Sequence, residues 1–171
     1  MRKSELKVGD YNSFFQTYLN TLGDVSLMDM HQKQLQNFPQ FMESIPDAKL
    51  HYAYDDGKWT LAEVLLHIID TERVFQYRAL RFSRGDKTPL PGFEQDDYVP
   101  NSFANRRSKE SLIEEYKIVR KATISLFTNF DRNILETKGI TNNAELSVAA
   151  IGFIISGHQK HHRNIIRERY L

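Results

Sequence analysis

Four stretches of this 171-residue chain return an apolar side chain every three or four positions, and no segment shows sustained strand alternation. Four long amphipathic helices bury their stripes most simply against one another. The pattern therefore predicts an all-α four-helix bundle in a single domain, residues 1–171. The first stretch runs over 26–45, with Ser26 and Asp29 as its cap and Pro39 placed to kink or shorten it. A weaker segment near 10–21 precedes it and ends at Gly23. The second long stretch opens at Thr60, with Glu63 completing a capping box, and runs to Phe82, where "SRGDKTPLPG" stops it. The third spans 109–130 behind Ser108, and the fourth spans 144–169 behind Asn143. "LHYAY" at 50–54 reads as extended.

Composition removes several classes of function. With 23 basic and 22 acidic residues the formal charge is +1, which gives no general attraction to nucleic acid. The chain has no cysteine, so disulfides, thiolate metal ligands and cysteine nucleophiles are excluded. The first 15 residues lack the apolar core of a signal peptide. The longest apolar run, "VAAIGFII" at 148–155, is too short to span a bilayer. These features lead us to expect a soluble cytoplasmic protein with neither nucleic acid nor membrane as partner.

Three of the six histidines crowd into the closing segment, at 158, 161 and 162. On a helical wheel, Ala144, Ser147, Val148, Ile151, Ile154, Ile155, Ile165 and Ile166 share a face. His158 and His162 fall in the middle of that face, and His161 falls at its edge. Each inward imidazole needs partners for its ring nitrogens or costs about 1–3 kcal/mol in desolvation. Two readings meet that demand. The pair can bond to buried carbonyls or carboxylates, or it can converge on a metal ion, since i and i+4 side chains stand about 5–6 Å apart at Cβ. On the second helix, His67 lies beside the apolar stripe and can face a neighbouring helix. His31 reads as core-edge or surface, and His51 lies in a connecting segment.

Heights along the bundle bear on whether the three histidines meet. His67 lies roughly 10 Å from the start of its helix, and the His158–His162 midpoint lies roughly 13 Å from the end of its own, at about 1.5 Å per residue. Antiparallel packing of the second and fourth helices brings them level; parallel packing separates them by roughly 14 Å. Antiparallel packing requires the second and third helices to run the same way. The link between them, about 84–107, has the reach to return along the bundle at about 3.3 Å per extended residue. Loop length and histidine height thus agree on an up-down-down-up order with a long crossover between helices two and three.

"GKWTLAEVLLHIIDTERVFQYRALRFSRGD", "PLPGFEQDDYV" and "SVAAIGFIISGHQKHHRNII" resemble the DinB-like superfamily of damage-inducible metalloproteins. The resemblance covers most of the chain from about residue 50 onward. It implies a four-helix bundle whose three histidines hold a divalent metal, zinc or nickel and sometimes iron. The positions here that match are His67, His158 and His162. Members of the family include thiol S-transferases using bacillithiol, mycothiol or glutathione, as well as isomerases and hydrolases. The family name reflects induction by DNA damage, not DNA binding. Related proteins often form homodimers, so a homodimer is expected.

Three imidazole ligands leave open positions on a metal, the pattern of a catalytic site. With no cysteine in the chain, any thiol must come from a low-molecular-weight cosubstrate. The leading expectation is a metal-dependent thiol S-transferase acting on a small molecule. The alternatives are a metal-dependent hydrolase and a non-catalytic bundle with a structural metal. Candidate catalytic groups are Asp70, Glu72 and His161. Asp70 and Thr71, one turn past His67, either orient a ligand or merely pack. Glu72 sits in the apolar stripe, about 140° from His67, where it either pairs with Arg73, Arg78 or Arg120 or transfers protons. The acidic "FEQDDY" is a solvated loop or short helix, or lines the mouth of the site. Lys160, Arg163, Arg167 and Arg169 form a solvated face or attract an acidic thiol.

Overall fold

A computed structural model describes all residues, 1–171. A short 3-10 turn, Ser13–Phe15, leads into α1 (Gln16–Asn20), followed by α2 (Leu27–Glu43). Next come α3 (Leu61–Ser83), α4 (Gln95–Asn101), α5 (Lys109–Thr128) and α6 (Arg132–Glu136). A hairpin of β1 (Lys138–Thr141) and β2 (Ala144–Ser147) precedes α7 (Val148–Ile165), which ends in a π-helical turn at Ile166–Tyr170. The four long helices α2, α3, α5 and α7 build the bundle.

The caps explain the boundaries. At Thr60 both halves of the capping box form, so the first turn of α3 is satisfied before any packing. Ser108 accepts from the Ser111 amide at the start of α5. α2 continues through Pro39, which is buried within it. Residues 50–54 follow the 3-10 turn at Asp47–Lys49 as a turn at 50–51 and an irregular stretch at 52–54, and they pair with no strand.

The fourth helix is shorter than its periodicity predicts. Asn142 and Asn143 both take positive φ, 48° and 59°, the two-residue turn that closes a hairpin. Residues 144–147 therefore pair with 138–141, and Ser147, not Asn143, caps α7 by accepting from the Ala150 amide. The hairpin seats on the end of α3, where any Cβ at Gly139 would lie 2.1 Å from Phe82. The long link is also more structured than a plain loop. It carries α4, and Leu90 pairs with the hairpin through bonds to Ile140 (2.9 Å) and from Asn142 (3.1 Å).

Contacts between named residues give the helix directions. The Tyr170 hydroxyl donates to the Trp59 carbonyl, 2.8 Å away, so the end of α7 meets the start of α3. At the other end Phe82 of α3 shares a core cluster with Val148 of α7. Along α3 and α5, Arg73 meets Glu115 and Gln76 meets Thr123, so both positions advance together. The core divides into one apolar cluster around Phe38, Leu65 and Tyr116 and another around Phe75, Phe127 and Phe153.

His31 departs from its core-edge placement: it is completely buried. Its Nδ1 lies 3.2 Å from the Ser156 hydroxyl and 3.4 Å from Arg120, groups contributed by α7 and α5. A wheel drawn on α2 alone cannot show partners supplied by other helices.

Candidate metal centre

His67 lies on α3 two turns after the Thr60 cap, and His158 and His162 lie one turn apart near the end of α7. The antiparallel approach of these helices brings the three rings together. His67 Nε2 stands 3.1 Å from His158 Nε2, and His162 Nε2 stands 3.1 Å from the same atom. One ligating nitrogen from each ring lies within 4.8 Å of the others. His67 and His158 are buried, and His162 is half-buried.

Neighbouring side chains fix the rings. Trp59 packs against His67 with centroids 4.9 Å apart. Tyr18, from α1, stands edge-on to His158 at 5.1 Å and to His161 at 5.3 Å. Gly157 makes that approach possible, because a Cβ there would sit 2.5 Å from the Tyr18 carbonyl oxygen. Behind His67, the Thr71 hydroxyl lies 3.5 Å from Nδ1.

Burial sets the charge. It lowers the His67 pKa to about 4, and it holds His158 and His162 well below the usual imidazole value, with the neighbouring rings adding to the effect. All three are therefore neutral at pH 7, with lone pairs free to donate. An N–H can satisfy one close nitrogen contact, but three buried imidazoles cannot satisfy one another. A metal ion can. With metal–nitrogen bonds of about 2.0–2.1 Å, adjacent ligands on a tetrahedron or octahedron stand about 2.9–3.4 Å apart. The 3.1 Å separations fit that polyhedron edge. The donor set is three histidines, and no cysteine or carboxylate joins it.

The other candidates separate. Asp70 shares a small cavity with His67, Tyr98 and Ser102, is 3.4 Å from Arg73, and has its carboxyl pKa raised by burial. His161 is half-buried against Tyr18 and His162. Glu72 is turned into the bundle, where it accepts from Arg120 at 2.8 Å and from Thr123 at 2.5 Å. Of the three arginines open to it on sequence, Arg120 is its partner, and both lie away from the histidine trio in a network of their own. The acidic segment became α4, and its Glu94 and Asp96 border a cavity of about 460 Å³. That cavity also touches His158, Tyr18, Phe75, Phe93 and Arg78. Sequence reading missed Tyr18 as a wall of the site, since it lies in the weak 10–21 segment. Arg78 was read only as a partner for Glu72.

Residues 30–166 match the family model of the DinB superfamily. This chain belongs to the DinB superfamily. A protein of Oceanobacillus iheyensis, provisionally named a metal-dependent hydrolase, is 24% identical over 146 residues, covering 81% of this chain and 83% of its own. YfiT from Bacillus subtilis, provisionally described as a metal-dependent hydrolase with an unusual four-helix bundle topology, superposes with a TM-score of 0.71 at 14% identity. That match covers 96% of this DinB chain and 90% of YfiT. A mycothiol-dependent maleylpyruvate isomerase superposes at 0.65 with 9% identity, covering 90% of this chain and 62% of the isomerase. The structural likenesses establish that this DinB chain has the same bundle fold.

Proposed function

We propose that this DinB chain is a metal-dependent enzyme that activates a low-molecular-weight thiol for transfer to a small electrophile. His67, His158 and His162 would hold a divalent ion, zinc, nickel or iron, through Nε2. The observation that carries the reading is the convergence of three neutral imidazoles beside a cavity of about 460 Å³, with no fourth protein donor in the group. Three protein ligands leave room for an exogenous one, whereas structural sites are closed by four. The ion would supply Lewis acidity, which holds a coordinated thiol deprotonated at neutral pH.

The chain's own residues do the rest. With the ion on Nε2, the Nδ1–H of His67 would be directed at the Thr71 hydroxyl, 3.5 Å away. Trp59 and Tyr18 exclude water from two sides of the trio. Because the chain has no cysteine, the reacting sulfur belongs to the cosubstrate. Its proton passes to solvent, the sulfur bonds to the electrophilic carbon, and the leaving group departs with the electron pair of the broken bond.

A second reading, hydrolysis, is favoured by Asp70, a carboxyl of raised pKa in the same small cavity as His67, where a general base would stand. One experiment separates the two. Metal-loaded protein, chelated protein and His162→Ala are given a model alkyl halide or epoxide with bacillithiol, glutathione or coenzyme A, and in parallel an amide or ester. The expected result is metal-dependent conjugation with one thiol. Metal-dependent hydrolysis without conjugation would move the assignment to the hydrolase. Silence in both assays, with chelation lowering Tm, would leave only a structural metal.

A further inference from the structure

Arg78 is the one buried cation facing the cavity beside the trio, and the mechanism above does not use it. It is 6% exposed, lies over Phe75 and Phe93 at 5.3 and 5.8 Å, and donates one hydrogen bond, to the Pro91 carbonyl at 3.1 Å. Arg120, the other deeply buried arginine, is paired with Glu72; Arg78 has no carboxylate within ion-pair distance. A guanidinium carries five N–H donors, so most of its capacity is unspent. Burial works against its charge, and the Tyr98 hydroxyl is the one protein group that opposes this, with no carboxylate doing so. The same cavity is lined by Thr141, whose buried hydroxyl has no hydrogen-bond partner. Glu94 and Asp96 border the cavity but are exposed to solvent.

Position relates this cation to the trio. His67, Thr71, Phe75 and Arg78 follow one another at i, i+4, i+8 and i+11, a single stripe of α3. Their ends rise about 16 Å apart along the helix axis. Arg78 leans back over Phe75, and His67 leans the same way by a shorter reach, which leaves roughly 10–16 Å between the guanidinium and the trio. The cavity that Arg78 lines reaches the trio at His158 and includes Phe75 and Phe93 in its lining.

We propose that Arg78, with the Thr141 hydroxyl, is an anion subsite, and that the small molecule serving the trio carries a carboxylate roughly 10–16 Å from its reacting atom. The inference rests on the proposed function for what binds at the trio, but not for the anion pole itself. A planar carboxylate can take two parallel N–H donors from Arg78 and a third bond from Thr141. The intervening carbon chain would lie on Phe75 and Phe93.

The test uses ω-mercaptoalkanoic acids of increasing chain length and their methyl esters, titrated calorimetrically into zinc-loaded and chelated protein. Acids should bind more tightly than esters by about tenfold or more, the scale of one charge-assisted hydrogen bond. On zinc-loaded protein the affinity should peak at a chain length spanning roughly 10–16 Å. On chelated protein the acid preference should persist while the peak disappears. Arg78→Met should erase the preference, and Arg78→Lys should keep part of it. Equal binding of acids and esters to the wild type overturns the anion subsite, and that comparison stands even if Arg78→Met fails to fold. The two readings fail differently. Acid preference without any zinc-dependent peak would defeat thiol activation at the trio and leave the anion subsite intact. A zinc-dependent thiol response without acid preference would do the reverse.

Discussion

Helices α3 and α7 carry two buried polar clusters that meet their needs differently. Around Glu72 the partners come from the protein. Arg120 and Thr123 bind its carboxylate, Arg120 also reaches Gln34 at 2.6 Å, and Gln34 donates to the Ser156 carbonyl at 2.9 Å. The network ties α2, α3, α5 and α7 together. Around His67 the three imidazoles have mainly one another, and every one is held neutral. A polar cluster whose charges are paired within the protein, with only Arg120 Nε and His31 Nε2 left over, is framework. A cluster whose lone pairs face a shared point is built for something from outside.

The sharpest way to break that contrast is to disturb the closed cluster. Glu72→Ala strands the fully buried Arg120 and should cost about 3–5 kcal/mol of stability, read from urea denaturation with and without metal. A loss below 1 kcal/mol would deny the network its framework role. His158→Ala should behave in the opposite manner. Metal content should fall from about one ion per chain to near zero, measured by elemental analysis. The stabilisation that metal confers on the wild type, about 2.7 kcal/mol at a hundredfold excess over Kd, should vanish with it. Unchanged metal content would refute the ligand assignment.

Acidity probes the same contrast more gently, in metal-free protein. An unfolded imidazole takes a proton near 6.5, while folded His67 refuses it until about 4. Stability should therefore be full above 6.5 and fall with decreasing pH through that window. The slope for His67 alone is about 1.4 kcal/mol per pH unit, steeper with His158 and His162 contributing. A chelated protein whose urea midpoint is flat from pH 7 to 5 would contradict the buried, neutral state. The smallest effect belongs to Thr71→Val, which removes the hydroxyl behind His67. Metal affinity should drop about tenfold, by competition with a chromophoric chelator, while Tm of the metal-free protein barely moves.

Much of this was legible in the residues. The Thr60–Glu63 box and the 3.6-residue stripes gave α3 and α5 to within a residue or two, because those signals are local. The histidine pair at 158 and 162 was legible because both fall in an otherwise apolar face. The hairpin was not. Each of its strands is four residues long, and Ala144 and Ser147 extend the apolar spacing of the following helix backwards. Only the Asn-Asn turn marks the break. Arg78 and Tyr18 escaped for another reason: their surroundings come from the link, the hairpin and α1, so no single helical wheel contains them. The burial of His31 escaped in the same way.

The pairing of Leu90 with the hairpin divides the labour of the site between two kinds of scaffold. The trio and Arg78 stand on long helices held by the core. One wall facing them, Gly92 through Asp96, runs from the Leu90 tether into the first turn of α4 and is largely exposed. Residues 92–96 can therefore be randomised in a library without touching a helix that carries a ligating nitrogen. Variants selected from such a library should differ in which molecules they accept and share one affinity for the ion.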